Sequence, residues 1–247
     1  MIQSVIFDID NTLYDYESAN RLAMKALADY AFTHFGWTEE ELLQKTDAAN
    51  REISDTLGKK SAIHNRLIRF QRVLEKEGLP LFPHALNLYH LYWETLMNQA
   101  VVFPGVEEAL KELKKQGYVL MVGTNMTSVI QFEKMTRFGL LSYFDYIVSS
   151  EETDSEKPQD RIFLRCAEKA HCDPSSCVYV GDSLIHDVIG AQNAGMKALW
   201  FRPVRETDPI PVPLFHDASG EATQVPSFSD FRELVPLIQQ ISQESQK

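Results

Sequence analysis

Cysteine, basic charge and long apolar runs are all scarce in this chain, and each shortage removes a class of function. The three cysteines, Cys166, Cys172 and Cys177, form an odd set spaced C-x5-C-x4-C, which fits neither a zinc pair nor a disulfide framework. They are expected to be idle or buried thiols. Lys and Arg number 24 against 35 Asp and Glu, a net charge of -11, and a nucleic-acid backbone demands a basic face that this balance does not supply. The acidity is spread along the chain, which leaves room for a local basic pocket able to take one phosphate group. No segment approaches the roughly 18–20 apolar residues of a membrane span, and Met1 runs into a strand without a basic and apolar leader. Neither membrane nor nucleic acid is therefore expected as a partner, and the expected location is cytoplasmic.

What the chain does have is core material. With 44% hydrophobic residues over 247 positions, it is long enough for one large domain or two modest ones. From about Glu17 to Gln99 apolar positions recur at helical spacing with almost no strand signal. Ala19, Leu22, Ala23, Ala26, Leu27 and Tyr30 make one stripe. Thr38-Glu39-Glu40-Glu41 has the form of a capping box opening a second helix. A third is expected over 61–77, with Ile63, Leu67, Phe70 and Leu74 inward, and a fourth after Pro83, using Leu86, Tyr89, His90, Trp93 and Leu96. These four read as a small bundle that closes at Phe103-Pro104-Gly105.

From Val106 onward helix and strand alternate, the rhythm of a parallel sheet with crossover helices. Short, almost wholly apolar runs at 118–122, 146–148, 177–180 and 198–201 are the candidate strands, as expected where both faces are covered. With Ser4-Val5-Ile6 they make five. Between them, Ala109, Leu110 and Leu113 mark one helix, Val129, Phe132 and Met135 another, and Ile162, Phe163 and Cys166 a third. A proline-rich stretch over 202–226 reads as a loop, and a last helix is expected over 228–241.

The first strand ends in Phe7-Asp8-Ile9-Asp10-Asn11-Thr12. In an open parallel sheet, ligands bind beyond the carboxyl ends of the strands, so two carboxylates and a hydroxyl emerge where chemistry takes place. Two acids this close repel unless a cation or a shared proton relieves them, which implies a metal or a tuned acid/base pair. Three further strand ends carry matching groups: Val122-Gly123-Thr124-Asn125, Glu156-Lys157-Pro158, and Val180-Gly181-Asp182-Ser183 with Asp187 beyond it. Taken singly, Thr124 and Asp182 are equally well explained as caps or turn residues, and Lys157 as a solvated charge. Their convergence points to a site.

In this order and spacing the segments resemble the haloacid dehalogenase superfamily, in particular its phosphatase branch with a helical cap inserted after the first motif. Asp8 to Thr12 is similar to the first motif, Thr124 to the second, Lys157 to the third, and Gly181-Asp182-Ser183 with Asp187 to the fourth. Gly190-Ala191 and Ala194-Gly195-Met196 also have the family's form. The resemblance runs from Ile6 to about Trp200. It implies an α/β fold: a Rossmann-like three-layer αβα core with a parallel five-stranded sheet, residues 1–14 and 101–247, plus an inserted α-helical bundle cap, residues 15–100.

The implied activity is hydrolysis of a phosphate monoester. Asp8 would be the nucleophile, forming an aspartyl-phosphate, and Asp10 the acid that protonates the departing alkoxide and then takes a proton from water. Magnesium is the implied cofactor, since these loops offer hard oxygen ligands without clustered His or Cys. The resemblance assigns it the Asp8 carboxylate, the Asp10 backbone carbonyl and the Asp182 carboxylate, with Asp187 in support. Thr124, the Asn125 amide and Lys157 are implied to hold the phosphoryl oxygens, and Thr12 to brace the loop.

The expected partner is a small phosphorylated molecule: a nucleoside monophosphate, a sugar phosphate or a phosphoglycolate-like acid. A monomer or homodimer is expected. The helical segment is expected to act as a lid that carries specificity. Lys59, Lys60, Arg66 and Arg69 read either as contacts to an anionic or sugar-like substrate or as a solvated face. Tyr14 and Asp15 fall at the expected hinge, and His64 and His90 are expected in packing roles. A phosphomutase, a carbon–halogen hydrolase, a phosphonate hydrolase and a catalytically silent binding module are the rival readings. The halogen chemistry needs neither magnesium nor a leaving-group acid, so Asp10 and Asp182 argue against it.

Overall fold

A computed structural model of the protein describes residues 1–58, 60–203, 215–216, 222–223 and 225–244. The chain enters through β1 (Ser4–Phe7) and continues into α1 (Tyr16–Phe35), α2 (Glu39–Leu57), α3 (Arg66–Lys76) and α4 (His84–Gln99). It then alternates through α5 (Val106–Lys115), β2 (Val119–Thr124), α6 (Ser128–Arg137), β3 (Tyr146–Ser149), the single turn α7 (Ser150–Thr153), α8 (Arg161–Lys169), β4 (Cys177–Gly181), α9 (Gly190–Asn193) and β5 (Lys197–Phe201). Two short antiparallel strands, β6 (Phe215–His216) and β7 (Ala222–Thr223), precede β8 (Ser227–Phe228) and α10 (Leu234–Glu244). Most of the proline-rich stretch read as a loop lies outside the described residues. The contacts divide the chain into two compact units, Met1–Tyr14 with Val102–Lys247, and Asp15–Val101. No helix among the described residues is long and apolar enough to cross a membrane.

The first unit is a Rossmann-like α/β fold around a parallel sheet in the order β3-β2-β1-β4-β5-β8. Val5, Ile6, Phe7, Val122, Val178 and Val180 are fully buried, which is why these strands read as continuous apolar runs rather than alternating ones. Six strands replace the expected five. Ser227–Phe228 is too short to show a periodicity, yet Trp200 N–H donates to Pro226 O at 2.9 Å and Arg202 N–H to Phe228 O at 2.8 Å. The Phe228 ring packs on Phe201 and Phe231. The last helix accordingly starts later than 228: Asp230 closes a capping box on the turn Phe231–Glu233, and α10 follows.

The second unit is a four-helix bundle in which α1 packs on α4 and α2, and α3 on α2 and α4. Ala19, Ala23, Leu27 and Ala31 line the buried face of α1, and small side chains there admit the bulky Tyr92, Trp93 and Leu96 of α4. Leu22 and Leu86, placed inward by their spacing, are exposed, as is His90; Ala31 and Leu88 are buried in the same helices. Asp15 caps α1 through Ser18 N–H, and α1 ends at Gly36, whose φ of 73° suits a residue without a Cβ. The Thr38 capping box is present, with Glu41 N–H on Thr38 Oγ1 at 3.2 Å and Thr38 N–H on Glu41 Oε2 at 2.8 Å. The third helix begins at Arg66 rather than 61, because the Asn65 side chain accepts from Leu67 and Ile68 N–H and stops the preceding turn.

Candidate active site

Register explains why the motif residues meet. Phe7 pairs with Val122 on one side and Val180 on the other, so Asp8, Gly123 and Gly181 lie at one level and Thr124 and Asp182 one residue beyond. From β1 the sheet grows to β2 and β3 on one side and then returns to β4 on the other, and that reversal opens a crevice at the carboxyl edge. Asp8 continues the ladder by donating its N–H to Val180 O at 2.9 Å.

Lys157 is the hub. Its Nζ donates to Asp8 Oδ1 at 2.7 Å, Asp187 Oδ1 at 2.6 Å and the Tyr179 hydroxyl at 3.0 Å. Burial alone would lower the lysine's pKa, but the Asp187 and Asp8 carboxylates hold it well above its ordinary value, so the ammonium stays charged. Asp187 reaches the hub from a π-helical turn, Leu184–Ile189, and its Oδ2 accepts from Ser183 N–H at 2.9 Å. Gly181 makes that approach possible: a Cβ there would lie 2.4 Å from Asp187 Cγ. Burial pushes Asp8 up to about 6, opposed by Lys157 and reinforced by Asp187 and Asp10. Asp182 is pushed up to about 8 by burial and then by the Asp187 and Asp8 charges. No cation pairs with Asp182 among the described residues.

Asp10 is held by two groups that sequence patterning did not single out for the task. Its Oδ1 accepts from Lys134 Nζ at 2.6 Å and from the Tyr14 hydroxyl at 2.5 Å. Lys134 is completely buried on α6, where the inward residues are Ile130, Gln131, Lys134 and Met135, while Val129 and Phe132 are exposed. The apolar stripe expected from Val129, Phe132 and Met135 is therefore rotated. Gln131 and Lys134 face inward because each finds a polar partner there, Gln131 Nε2 donating to Thr124 Oγ1 at 2.8 Å. A polar pair at i and i+3 within an otherwise amphipathic helix was the available signal.

The remaining motif residues brace the loops. Thr12 Oγ1 accepts from Asp182 N–H at 3.0 Å, tying the first and fourth strand ends together. Asn125 Oδ1 accepts from Lys157 N–H at 2.8 Å and its Nδ2 donates to Lys157 O at 3.3 Å. That carboxamide is thus committed to positioning Lys157, leaving its backbone N–H at the strand end. Tyr14 is buried on Asp10, Asp15 serves as a helix cap, and Lys59 lies outside the described residues. The three cysteines are free, and burial pushes the Cys166 thiol up to about 12, so it is inert at neutral pH.

One carboxylate oxygen from each of Asp8, Asp182 and Asp187 falls within 4.8 Å of the others. Counting Asp10, four carboxylates face the two ammonium groups of Lys157 and Lys134. When all are ionised the site carries two negative charges in excess. A trio made wholly of carboxylates, hard oxygen donors with excess negative charge, suits a divalent cation such as magnesium.

The sequence pattern of the haloacid dehalogenase-like hydrolases matches residues 5–201. A ribulose-1,5-bisphosphate 5-phosphatase from Halopiger xanaduensis is 34% identical over 210 residues, covering 84% of this chain and 88% of the relative. A glyceraldehyde 3-phosphate phosphatase from Methanothermobacter thermautotrophicus is 34% identical over 200 residues, 81% of this chain and 85% of the relative. Among solved structures, a 2-haloacid dehalogenase from Pseudomonas syringae is similar with a TM-score of 0.69 at 27% identity, over 97% of this chain and 99% of that one. Magnesium-bound YfnB of Bacillus subtilis is similar in fold, with a TM-score of 0.70 at 23% identity over 96% and 99%. With its motifs gathered at one sheet edge and the family pattern covering most of its length, the chain belongs to the haloacid dehalogenase-like hydrolase family.

Proposed function

We propose that the chain is a magnesium-dependent phosphatase that hydrolyses a small phosphorylated metabolite through an aspartyl-phosphate on Asp8. The observation that carries this reading is the carboxylate trio of Asp8, Asp182 and Asp187, with more negative charge than Lys157 balances. Both oxygens of Asp187 are taken, by Lys157 and by Ser183 N–H. That leaves the Asp8 and Asp182 carboxylates of the trio to hold the ion, and the family resemblance adds the Asp10 backbone carbonyl. When bound, magnesium would offset the repulsion between an anionic nucleophile and an anionic phosphate.

Phosphate monoesters hydrolyse extremely slowly unaided, so positioning and charge neutralisation dominate their catalysis. Asp8 attacks phosphorus, and a bond to its carboxylate oxygen forms as the ester P–O bond breaks. The departing alkoxide takes a proton from Asp10, which Lys134 and Tyr14 hold in place. Asp10 then removes a proton from a water whose oxygen attacks the same phosphorus, releasing phosphate and freeing the Asp8 carboxylate. Lys157, the Thr124 hydroxyl and the Asn125 backbone N–H would hold the phosphoryl oxygens as charge shifts among them.

The two relatives named above act on a phosphorylated pentulose and a phosphorylated triose by their names, so phosphorylated sugars head the substrate panel. The purified chain is expected to hydrolyse p-nitrophenyl phosphate with magnesium and not in excess chelator, and Asp8→Asn to be inactive yet folded. Robust turnover in chelator, an active Asp8→Asn variant, or metal-free hydrolysis of 2-chloropropionate in place of phosphate esters would overturn the reading.

A further inference from the structure

The helical bundle holds a concentration of charge of its own, opposite in sign to the carboxylate cluster. A cavity of about 150 Å³ opens among its helices, and Arg66 and Arg69, one turn apart on α3, both line it. Neither guanidinium has a carboxylate partner among the described residues. Arg66 Nη2 donates to the Tyr16 and Tyr92 hydroxyls at 3.0 and 3.1 Å, and Arg69 Nη2 to Asn50 Oδ1 at 2.5 Å. The Nε–H of each is buried and has no hydrogen-bond partner.

That is an unusual state for two arginines. Native interiors pair nearly all buried polar hydrogens, and leaving one on a charged group unmet is the costliest case. Proximity adds to the cost, since burial and the neighbouring Arg66 charge push Arg69 down to about 10. Their position adds more, because both sit in the opening turn of α3, where the helix dipole disfavours cations. The ordinary arrangement appears one turn on, where Arg72 pairs with Glu75 at 3.2 Å. Asp47, the one acid on the wall, is exposed and forms no ion pair with either arginine.

We infer that this cavity is an oxyanion site in which Arg66 and Arg69 bind a phosphate- or carboxylate-type group. Such a ligand supplies the missing charge, and the planar guanidinium fork matches the oxygen spacing of either anion. Tyr16, Tyr92 and Asn20, which share the wall, add neutral hydrogen-bonding groups. The volume equals about five waters, enough for one oxyanion and a short attached fragment. The anion comes from one of two sources, a second anionic group on the phosphorylated substrate or a separate small anion. The first source rests on the phosphatase reading, whereas the site itself does not.

The test titrates inorganic sulfate calorimetrically, without magnesium, into the full chain and its Arg66→Met, Arg69→Met and Arg69→Lys variants. Each methionine variant that keeps a cooperative melt is expected to bind sulfate at least tenfold more weakly, with Arg69→Lys in between. If the methionine variants do not fold, Arg66→Lys and Arg69→Lys carry the comparison. No sulfate binding by the wild type, or equal binding by wild type and variants, overturns the site. Kinetics then assign the source. A tenfold or greater rise in KM for a bisphosphorylated sugar relative to p-nitrophenyl phosphate, in the arginine variants, assigns the substrate's second anion. An unchanged ratio with weakened sulfate binding assigns a separate anion. Arginine-dependent sulfate binding by a chain that hydrolyses no phosphate ester upholds the site and removes the phosphatase reading.

Discussion

Asp182→Asn is expected to make the metal-free protein more stable while abolishing its activity, and the gain should depend on pH in one direction. The Asp182 carboxyl is buried beside Asp8 and Asp187 and is pushed up to about 8 from 3.8. A raised folded pKa means that the folded state keeps a proton the unfolded state gives up. The stability this group contributes is therefore full below about pH 4 and is lost as the pH rises through about 8. About four units at ~1.4 kcal/mol each set a ceiling of about 6 kcal/mol. Residual exposure and screening reduce that by about half. The variant should thus exceed wild type by about 3 kcal/mol at pH 8.5 in chelator, and by on the order of 1 kcal/mol at pH 5. For a chain of this size the larger gain corresponds to roughly 6–12 °C in Tm. The assay is thermal unfolding by circular dichroism in excess chelator at the two pH values, repeated with excess magnesium. The metal should raise the Tm of wild type and leave the variant where it was, since a ligand stabilises only a state that binds it. Equal Tm values at pH 8.5 in chelator, or a larger gain at pH 5, would refute the reasoning.

Lys134→Met should lower kcat by roughly 10²-fold with little change in KM, because it loosens Asp10 rather than the phosphate contacts. The loss should be greater for an alkyl phosphate than for p-nitrophenyl phosphate, whose phenolate departs without a proton; equal losses in steady-state assays would detach Lys134 from leaving-group protonation. Gly181→Ala should destabilise the fold by about 1–3 kcal/mol, read as a lower urea midpoint, because its Cβ meets Asp187 Cγ at 2.4 Å. An unchanged midpoint would mean that the π-helical turn shifts freely.

Sequence signals are legible wherever the physics is local. The capping box at Thr38 needs only residues three apart, and it is present. The buried strands announce themselves because both faces are covered, so their apolar runs need no partner to be recognised. The sequence is silent where a partner distant along the chain supplies the reason for a residue. Ser227–Phe228 is a strand only because β5 offers it an edge. The α3 start depends on Asn65 side-chain geometry that apolar spacing does not report. Gln131 and Lys134 do not stand out in the sequence because apolar periodicity counts polar residues as outward, whereas Thr124 and Asp10 draw both of them inward.

By itself, the sequence determined the alternation of elements, the order of the motifs and membership of the haloacid dehalogenase-like hydrolases, since these reside in residue types and their spacing along the chain. Only the tertiary structure decided which charges face one another. It seats Lys157 between Asp8 and Asp187, gives Asp10 to Lys134 and Tyr14, and turns Arg66 and Arg69 into a cavity where their guanidinium groups meet hydroxyls and a carboxamide. The reason is that electrostatic interaction depends on distance and burial, and neither quantity exists along a chain until it folds.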